Sequence, residues 1–540
     1  MGQTHMPTFQ LDGTSIPFEP GETIIKAAYR QGIEIPHYCW HPGLSVAANC
    51  RMCLVEVVPP PGQRPIMLDV LEWDSHLNEY VPRVKLKLQP ACQLTAAEGM
   101  EIRSETSPYV ATARKGVQEF LLLNHPVDCP ICDQSGECKL QDYWLEYGRF
   151  QKRMRDEPIH KPKAVVFGPT IVYDAERCVM CTRCIRFMDE IAKDHVLDMR
   201  QRGNLNEITV ASGRQLDGRY TFMTEYVCPV GALTTKDFRF KARVWFLRSA
   251  ESICQGCATG CNAYLDYDPR SNRIYRYRPR PNEEVNQYWM CDNGMLSYQR
   301  AHQERVLKAH VQGTATSIEQ ALDFIQKQVD EKTLGSMGIL FSAQHSLEDN
   351  WALFQLGALL CGSTRLYMTG MGEGYEDDIL IHRDKNSNTQ GVLHLVPDVK
   401  LFSELLEHVR SGLVTGVLAL GGATPGERAT DAAVLRSLSF LVTVAAHQGA
   451  LVDAAHVVLP AVSWAEADGT YVNAQGLHQV SKKAIKPAGD TQPGWQLLAK
   501  LAHRLGFEVD WSSLRAGYSL SSHGRSNSSF PASQASPVSS

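Results

Sequence analysis

Sixteen cysteines lie in this 540-residue chain, and fifteen of them fall between Cys39 and Cys291. Their spacing sorts them into sets of a size that suits metal coordination. The first is Cys39, Cys50 and Cys53, with Cys92 beyond 38 intervening residues. A close pair, one cysteine before it and a remote fourth is the general arrangement of a plant-type 2Fe-2S site, although the first gap is ten residues here rather than four. Such a site needs four thiolates around two irons, on loops whose backbone N–H groups can face the sulfurs. His41 stands close to Cys39, but a Rieske centre needs two histidines on one iron and none accompanies Cys50 and Cys53. His41 therefore reads as a bystander.

The second set is His125-x3-Cys129-x2-Cys132-x5-Cys138. Three thiolates and one imidazole suit structural zinc. They also suit a 4Fe-4S cluster in which a neutral ligand replaces an anionic one and raises the potential. Spacing leaves both open. His125 gains weight as a ligand because it follows an apolar helical run, Phe120 to Leu123, and leads the chain into the cysteine loop. The third set is Cys178-x2-Cys181-x2-Cys184, with Cys228-Pro229 after 43 intervening residues. It carries one triplet and one remote Cys-Pro where two-cluster ferredoxins carry the full run twice, so one 4Fe-4S cluster is the simplest reading. The fourth, Cys254-x2-Cys257-x3-Cys261 with Cys291 after 29 intervening residues, suits 4Fe-4S or zinc. Cys361, after the apolar helix Trp351 to Leu360, reads as a small buried hydrophobe rather than a molybdenum ligand or nucleophile.

The remaining composition agrees with metal rather than disulfide chemistry. Formal charge is −5, from 54 basic and 59 acidic residues, which gives no basic field for nucleic acid. No apolar run approaches the ~18 residues of a membrane helix, and the opening residues lack the basic and apolar blocks of a signal peptide. The expectation is a soluble cytosolic chain, where thiols stay free unless a metal holds them.

The elements that must position these groups are legible in outline. Residues 7 to 19 read as two short strands around Asp12-Gly13, followed by a helix over Glu22 to Gln31 that Gly32 ends. Residues 108 to 147 read as helical, and 164 to 245 as short strands alternating with cysteine loops. Beyond about residue 300, Ser317 and Gln320 resemble a capping box opening a helix over Ile318 to Val329. Strand-like runs at Met337 to Phe341, Val417 to Leu420 and Leu441 to Ala445 alternate with helical patterns at Leu347 to Leu360, Leu401 to Val409 and Asp431 to Leu438. That alternation predicts an α/β domain with a parallel sheet. Gly370-Met-Gly372-Glu-Gly374 and Gly421-Gly422-Ala-Thr-Pro-Gly426 match no nucleotide-binding pattern and read as turns, only the second following a clear strand. The serine-rich residues 519 to 540 read as a disordered tail.

Taken in order, Ile35-Pro-His-Tyr-Cys39 with Asn49-Cys-Arg-Met-Cys53, the run from His125 to Cys138, Cys178 to Phe187 and Cys228-Pro-Val-Gly-Ala-Leu-Thr234 resemble the G-subunit family of bacterial NADH-quinone oxidoreductase, respiratory complex I. The segment from Cys254 to Cys291, with Asn286-Gln-Tyr-Trp-Met-Cys-Asp292, resembles the extra 4Fe-4S site of some bacterial members. Residues 300 to 515 are similar to the family's molybdopterin-oxidoreductase region, most clearly at Ala454-Ala-His-Val-Val-Leu-Pro460 and Glu466-Ala-Asp-Gly-Thr-Tyr-Val-Asn473, in a shortened form.

The resemblance implies a multidomain α+β and α/β chain. It places a 2Fe-2S ferredoxin-like β-grasp domain at 1–106 and a helical 4Fe-4S domain with one His and three Cys ligands at 107–147. A ferredoxin-like 4Fe-4S domain follows at 148–245, a 4Fe-4S domain of molybdopterin-oxidoreductase type at 246–302 and an α/β domain at 303–518. It implies one 2Fe-2S and three 4Fe-4S clusters, settles the second and fourth sets for iron, and implies no molybdenum cofactor. Electrons would enter from a flavin- and NADH-binding partner, pass the first, third and second sets in that order, and leave toward quinone through a ferredoxin-type 4Fe-4S subunit. The fourth set is implied to lie off that route, and no residue acts as acid, base or nucleophile. The chain would sit on the cytoplasmic face of the membrane within the peripheral arm, touching the membrane only through the complex. The iron–sulfur subunit of a formate dehydrogenase or NAD-linked hydrogenase is the competing reading; its molybdenum or hydrogen-activating site would need cysteines that the C-terminal half lacks apart from Cys361.

Overall fold

The computed structural model describes residues 6–151, 153–331, 335–361, 364–426 and 428–512. The chain divides into two compact units between Trp245 and Phe246.

In the first unit, Thr8–Leu11 and Thr14–Pro17 pair antiparallel around Asp12 and Gly13, which take φ of 47° and 83°. Positive φ at both central residues matches the turn to the right-handed twist of the strands. The helix Ile24–Arg30 buries Ile24, Ile25, Ala27 and Ala28. Gly32, at φ 74°, lets the chain turn back, and the Ile33 N–H donates to the Ala28 carbonyl at 2.9 Å. Glu101–Arg103 lies parallel to Thr8–Leu11, Leu54–Val58 pairs with its other side, and Gln89–Pro90 closes a five-stranded sheet over a core of Phe9, Ile16, Ile25, Val55 and Ile102. A feature absent from the sequence reading is the hairpin Met67–Asp74 with Glu79–Leu86, which among the described residues pairs with no other strand. One face carries exposed Met67, Leu71, Trp73, Tyr80 and Val84; the other carries the ion pairs Lys85–Glu72 and Arg83–Asp74.

The helices Pro108–Leu122 and Lys139–Tyr147 flank a loop containing a short 3-10 turn, Cys129–Ile131. The Ser107 hydroxyl caps the first by accepting from the Val110 N–H at 3.3 Å. Ile171–Tyr173 then lies between Val165–Val166 and Leu233–Thr235, with the helices Arg183–Glu190 and Phe222–Tyr226 in the intervening chain.

The second unit begins with an antiparallel meander, Arg248–Ile253, Asn262–Asp268 and Arg273–Pro279. An eight-stranded sheet follows. Its order is Thr314–Thr316, Ala309–Val311, Val457–Pro460, Phe440–Ala445, Gly416–Leu420, Met337–Ser342, Leu366–Thr369 and Lys400–Leu401, the last six parallel and the first two antiparallel. Met337–Ser342, Gly416–Leu420 and Phe440–Ala445 are buried at every position, which is why they read as continuous apolar runs rather than alternating ones. The Ser317/Gln320 capping box opens Ile318–Asp330 as expected. The helix expected at Asp431 to Leu438 runs Ala429–Arg436, and Cys361 packs in the hydrophobic core.

Gly370 also follows a strand, Leu366–Thr369, so both glycine loops stand at the carboxyl ends of parallel strands. Strand prediction missed the first because Leu366–Thr369 holds no Val or Ile and so gives a weaker strand signal than Val417 to Leu420. The serine-rich tail and residues 513 to 518 of the expected α/β domain lie outside the described residues. Among the described residues no helix is long and apolar enough to cross a membrane.

Candidate metal centres

The first set sits on loops rather than on strands. Ala48 and Arg51 adopt φ of 51° and 60° on either side of Cys50, a conformation that turns successive N–H groups to one side and favours anionic partners. The N–H groups of Cys50 and Asn49 face the Cys39 sulfur, and the Tyr38 N–H donates to Cys50 Sγ at 3.5 Å. Cys50 donates its S–H to Cys39, which brings the Cys39 thiol down to about 5, and Cys53 donates to Cys92. That bond and burial push the Cys50 thiol up. His41 is buried, and burial followed by the charge of Arg183 holds it neutral.

In the second set Cys132 is buried, Cys138 half-buried and Cys129 exposed. Burial pushes the Cys138 thiol up to about 11, while the N–H groups of Gln141 and Leu140 face its sulfur and oppose the rise. His125 is brought down to about 4, first by burial and then by Arg177. A neutral imidazole at working pH has a free ring nitrogen to offer a metal. Arg177 itself binds Asp128 at 2.9 Å, and Lys163 binds the same carboxylate at 2.7 Å, fixing the loop between His125 and Cys129.

Cys178, Cys181, Cys184 and Cys228 wall one small cavity together with Tyr173 and Ile208. Met180 and Thr182 take φ of 49° and 62°, and the Met180 N–H donates to Cys178 Sγ at 3.4 Å. Burial raises Cys178 and Cys181 to about 11 and Cys228 to about 12, with the neighbouring thiols adding to each rise. Four thiols that each resist ionisation in an apolar cavity fit a cationic iron–sulfur core, because a bound metal deprotonates its thiols outright.

The fourth set lies in the second unit. Gly256 and Gly294 donate N–H bonds to Cys254 and Cys291 sulfurs, each at 3.3 Å. A Cβ on Gly294 would stand 3.1 Å from Cys254 Sγ and 3.3 Å from Cys291 Sγ, so the backbone approaches both sulfurs where only hydrogen fits easily. Burial raises Cys291 to about 12. Among the described residues no three Cys, His, Asp or Glu side chains gather closely enough to hold a single metal ion. The thiols of the third set instead stand around a gap.

Contacts between sets in the first unit were beyond sequence reasoning. The Asn49 side chain donates to the Met180 carbonyl at 3.2 Å, tying the first set's loop to the third's. The Lys139 N–H donates to the Pro229 carbonyl at 3.1 Å, tying the second's to the third's, and Gly231 packs directly on Cys132 Sγ. Arg183 and Arg186 also join the first and third. Tyr38 lies within electrostatic reach of both Cys50 and Cys138.

Five known families match successive segments. They are the 2Fe-2S iron-sulfur cluster binding domain at 5–107, the NADH-ubiquinone oxidoreductase-G iron-sulfur binding region at 114–153, the ferredoxin-like domain of NADH-quinone oxidoreductase subunit 3 at 168–234, the molybdopterin oxidoreductase Fe4S4 domain at 247–303 and molybdopterin oxidoreductase at 336–504. Folds and matches together define a multidomain iron–sulfur protein with a molybdopterin-oxidoreductase-like α/β region. The G subunit of NADH-quinone oxidoreductase from Streptomyces coelicolor is 33% identical over 64% of this chain and 38% of its own length. Its counterpart in Rickettsia conorii is 27% identical over 94% of this chain and 89% of its own. The 75 kDa subunit of NADH-ubiquinone oxidoreductase from Reclinomonas americana is 36% identical over 70% and 52%. The chain is thus a relative of the G subunit of NADH-quinone oxidoreductase, although it spans about half or less of the length of most of these relatives. A chain of an NAD+-reducing [NiFe]-hydrogenase is 29% identical, covering 44% of this chain and 91% of its own, with a TM-score of 0.36.

Proposed function

We propose that this chain is the iron–sulfur electron-transfer subunit of an NADH-quinone oxidoreductase of the complex I type. Cys39, Cys50, Cys53 and Cys92 would hold a 2Fe-2S cluster. His125, Cys129, Cys132 and Cys138, then Cys178, Cys181, Cys184 and Cys228, then Cys254, Cys257, Cys261 and Cys291 would each hold a 4Fe-4S cluster. When bound, such clusters take up and release single electrons, relaying them from a flavin-bearing partner toward quinone. The protein's own residues do the rest. Backbone N–H groups face the sulfurs, the loops of the three sets in the first unit touch one another, and the order first, third, second is the one the resemblance implies. The observation that carries this reading is the four-thiol cavity of the third set, in contact with the loops of the first and the second.

Partners of the same reading are a flavin- and NADH-binding subunit and a ferredoxin-type 4Fe-4S subunit within the peripheral arm on the cytoplasmic face of the membrane. Electron transfer would be coupled to proton translocation in the whole complex, and no molybdenum cofactor would take part. Iron and acid-labile sulfide analysis of anaerobically assembled protein, with EPR, tests the reading: one 2Fe and three 4Fe centres are expected. Zinc in the His125 or Cys254 set would overturn its assignment, and stoichiometric molybdenum or tungsten would overturn the whole.

A further inference from the structure

The helix Arg183–Glu190 starts inside the third cysteine set and carries two arginines one turn apart, each joining that set to the first. Arg186 Nη2 donates to the carbonyl of Cys39 at 2.5 Å and to that of Cys181 at 3.2 Å, while Nη1 reaches the Ser45 carbonyl. Arg183 Nη2 donates to the carbonyl of Trp40, next to Cys39, at 2.5 Å, and Nη1 to that of Val227, next to Cys228, at 3.3 Å. A single guanidinium therefore spans from one ligand loop to the other, twice.

What these arginines lack is as informative. Apart from one bond to the Thr182 hydroxyl, their hydrogen bonds go to backbone carbonyls, and among the described residues neither forms an ion pair with a carboxylate. Arg183 is buried, and its Nε has no hydrogen-bond partner. Glu190, the acid on the same helix, is engaged by the Ser45 N–H at 2.8 Å. A buried cation without a counter-ion is costly, so its site calls for negative charge nearby. The thiols on both sides supply it: Arg186 acts first on Cys181 and Cys39 and then on Glu190, and Arg183 acts on Cys181.

We infer that Arg183 and Arg186 are positioning residues shared by two redox centres, their charge favouring the reduced state of the first and third sets together. This rests on the proposed clusters. Four thiolates leave an iron–sulfur centre anionic, and reduction adds one more negative charge, so a fixed cation raises the potential of any centre near it. Held between two centres by carbonyls of both loops, it raises the two in parallel and leaves their difference unchanged. Among the described residues the second and fourth sets receive no hydrogen bond from either arginine.

The test is an EPR-monitored redox titration of the full chain, loaded anaerobically with iron and sulfide, for the native protein, Arg186→Gln and Arg186→Lys. Wild-type protein without a 2Fe signal and a 4Fe signal from the third set would refute the cluster reading itself. Given both signals, Arg186→Gln should lower the reduction equilibrium constants of the first and third centres by tenfold or more, about 59 mV for a one-electron couple, and leave the second unmoved. Arg186→Lys, which keeps the charge, should hold both within about threefold of the native values. A shift in one centre alone, no shift in either, or equal effects of Lys and Gln would overturn the inference. If Arg186→Gln does not load its clusters, Arg183→Gln takes its place, with the same fall expected in both centres; a fall in one alone or in neither overturns the inference.

Discussion

Replacing Gly231 by alanine probes the contact that places the third cysteine set against the second. Gly231 lies in the Cys228-Pro-Val-Gly run, whose cysteine belongs to the third set, yet a Cβ there would fall on Cys132 Sγ of the second and 3.0 Å from Gln134 Cβ. An ordinary van der Waals contact between such atoms is about 3.5–4 Å, so Cys132 or the Cys228 loop must move. Overpacking of this kind costs about 1–3 kcal/mol. At about 2–4 °C per kcal/mol for a unit of this size, the first unit's melting temperature should fall by about 2–12 °C. The spectroscopic consequence is more specific. Cys132 would be displaced while Cys228 keeps its own loop, so iron analysis should show loss of up to one 4Fe-4S equivalent, and EPR should lose the second set's signal while retaining the third's. Unchanged iron, signals and melting temperature would refute the contact, and so would loss of the third signal with the second intact.

Three further perturbations test other parts of the molecule. His125→Cys adds an anionic ligand, so the second centre's midpoint potential should fall in a redox titration; an unchanged or raised value would mean that His125 is not a ligand. Glu466→Ala leaves Arg305, bound at 2.6 Å with both side chains buried, without its partner and strips the Ser463 and Ala488 N–H groups of an acceptor. Denaturant melts should show the second unit destabilised by about 3–5 kcal/mol, and a loss below about 1 kcal/mol would argue that the pair is solvated. Burial, helped by the nearby Glu348 charge, raises Asp349 from 3.8 to about 7. With the folded value above the unfolded one, the folded chain holds an extra proton between about pH 4 and 7, and stability falls as pH rises through that window, by up to about 4 kcal/mol. Asp349→Asn should flatten this part of the stability profile between about pH 4 and 7; an unaltered slope would locate the titration elsewhere.

Much of the scaffold was legible because local signals and tertiary outcome agree. Met337–Ser342, Gly416–Leu420 and Phe440–Ala445 are short apolar runs between helical patterns, and Ser317 with Gln320 is a purely local capping device. Spacing alone sorted the cysteines into four sets, of which Cys178, Cys181, Cys184 and Cys228 do line one cavity. Their surroundings were not. Ala48, Arg51, Met180 and Thr182 adopt left-handed conformations with side chains that carry no sequence sign of it, since glycine is the usual marker. The Arg183 to Trp40 and Arg186 to Cys39 bonds join residues 143 and 147 positions apart, so nothing in either segment announces the other. The hairpin Met67–Asp74 with Glu79–Leu86 escaped notice because it mixes apolar and charged residues without the buried face that makes strand alternation readable.

The segments that resemble molybdopterin oxidoreductases have work in this chain that requires no pterin. Val457–Pro460 is a buried strand of the parallel sheet, and Glu466 anchors Arg305 while accepting two backbone N–H bonds. Asn473 accepts from the Gln475 and Leu477 N–H groups at 3.0 and 2.9 Å, shaping a turn, and donates to the Thr259 carbonyl at 3.3 Å. The Ala474 N–H donates to the Ala258 carbonyl at 2.7 Å, and Gln479 Nε2 to that of Gly260 at 2.9 Å. Three successive carbonyls of the loop between Cys257 and Cys261 are thereby held by one stretch of the α/β domain. That loop's own backbone is irregular, with Gly260 at φ 60°, and has little internal hydrogen bonding to fix where its sulfurs point. The α/β domain is what fixes it, so the fourth set's geometry depends on residues more than 200 positions downstream.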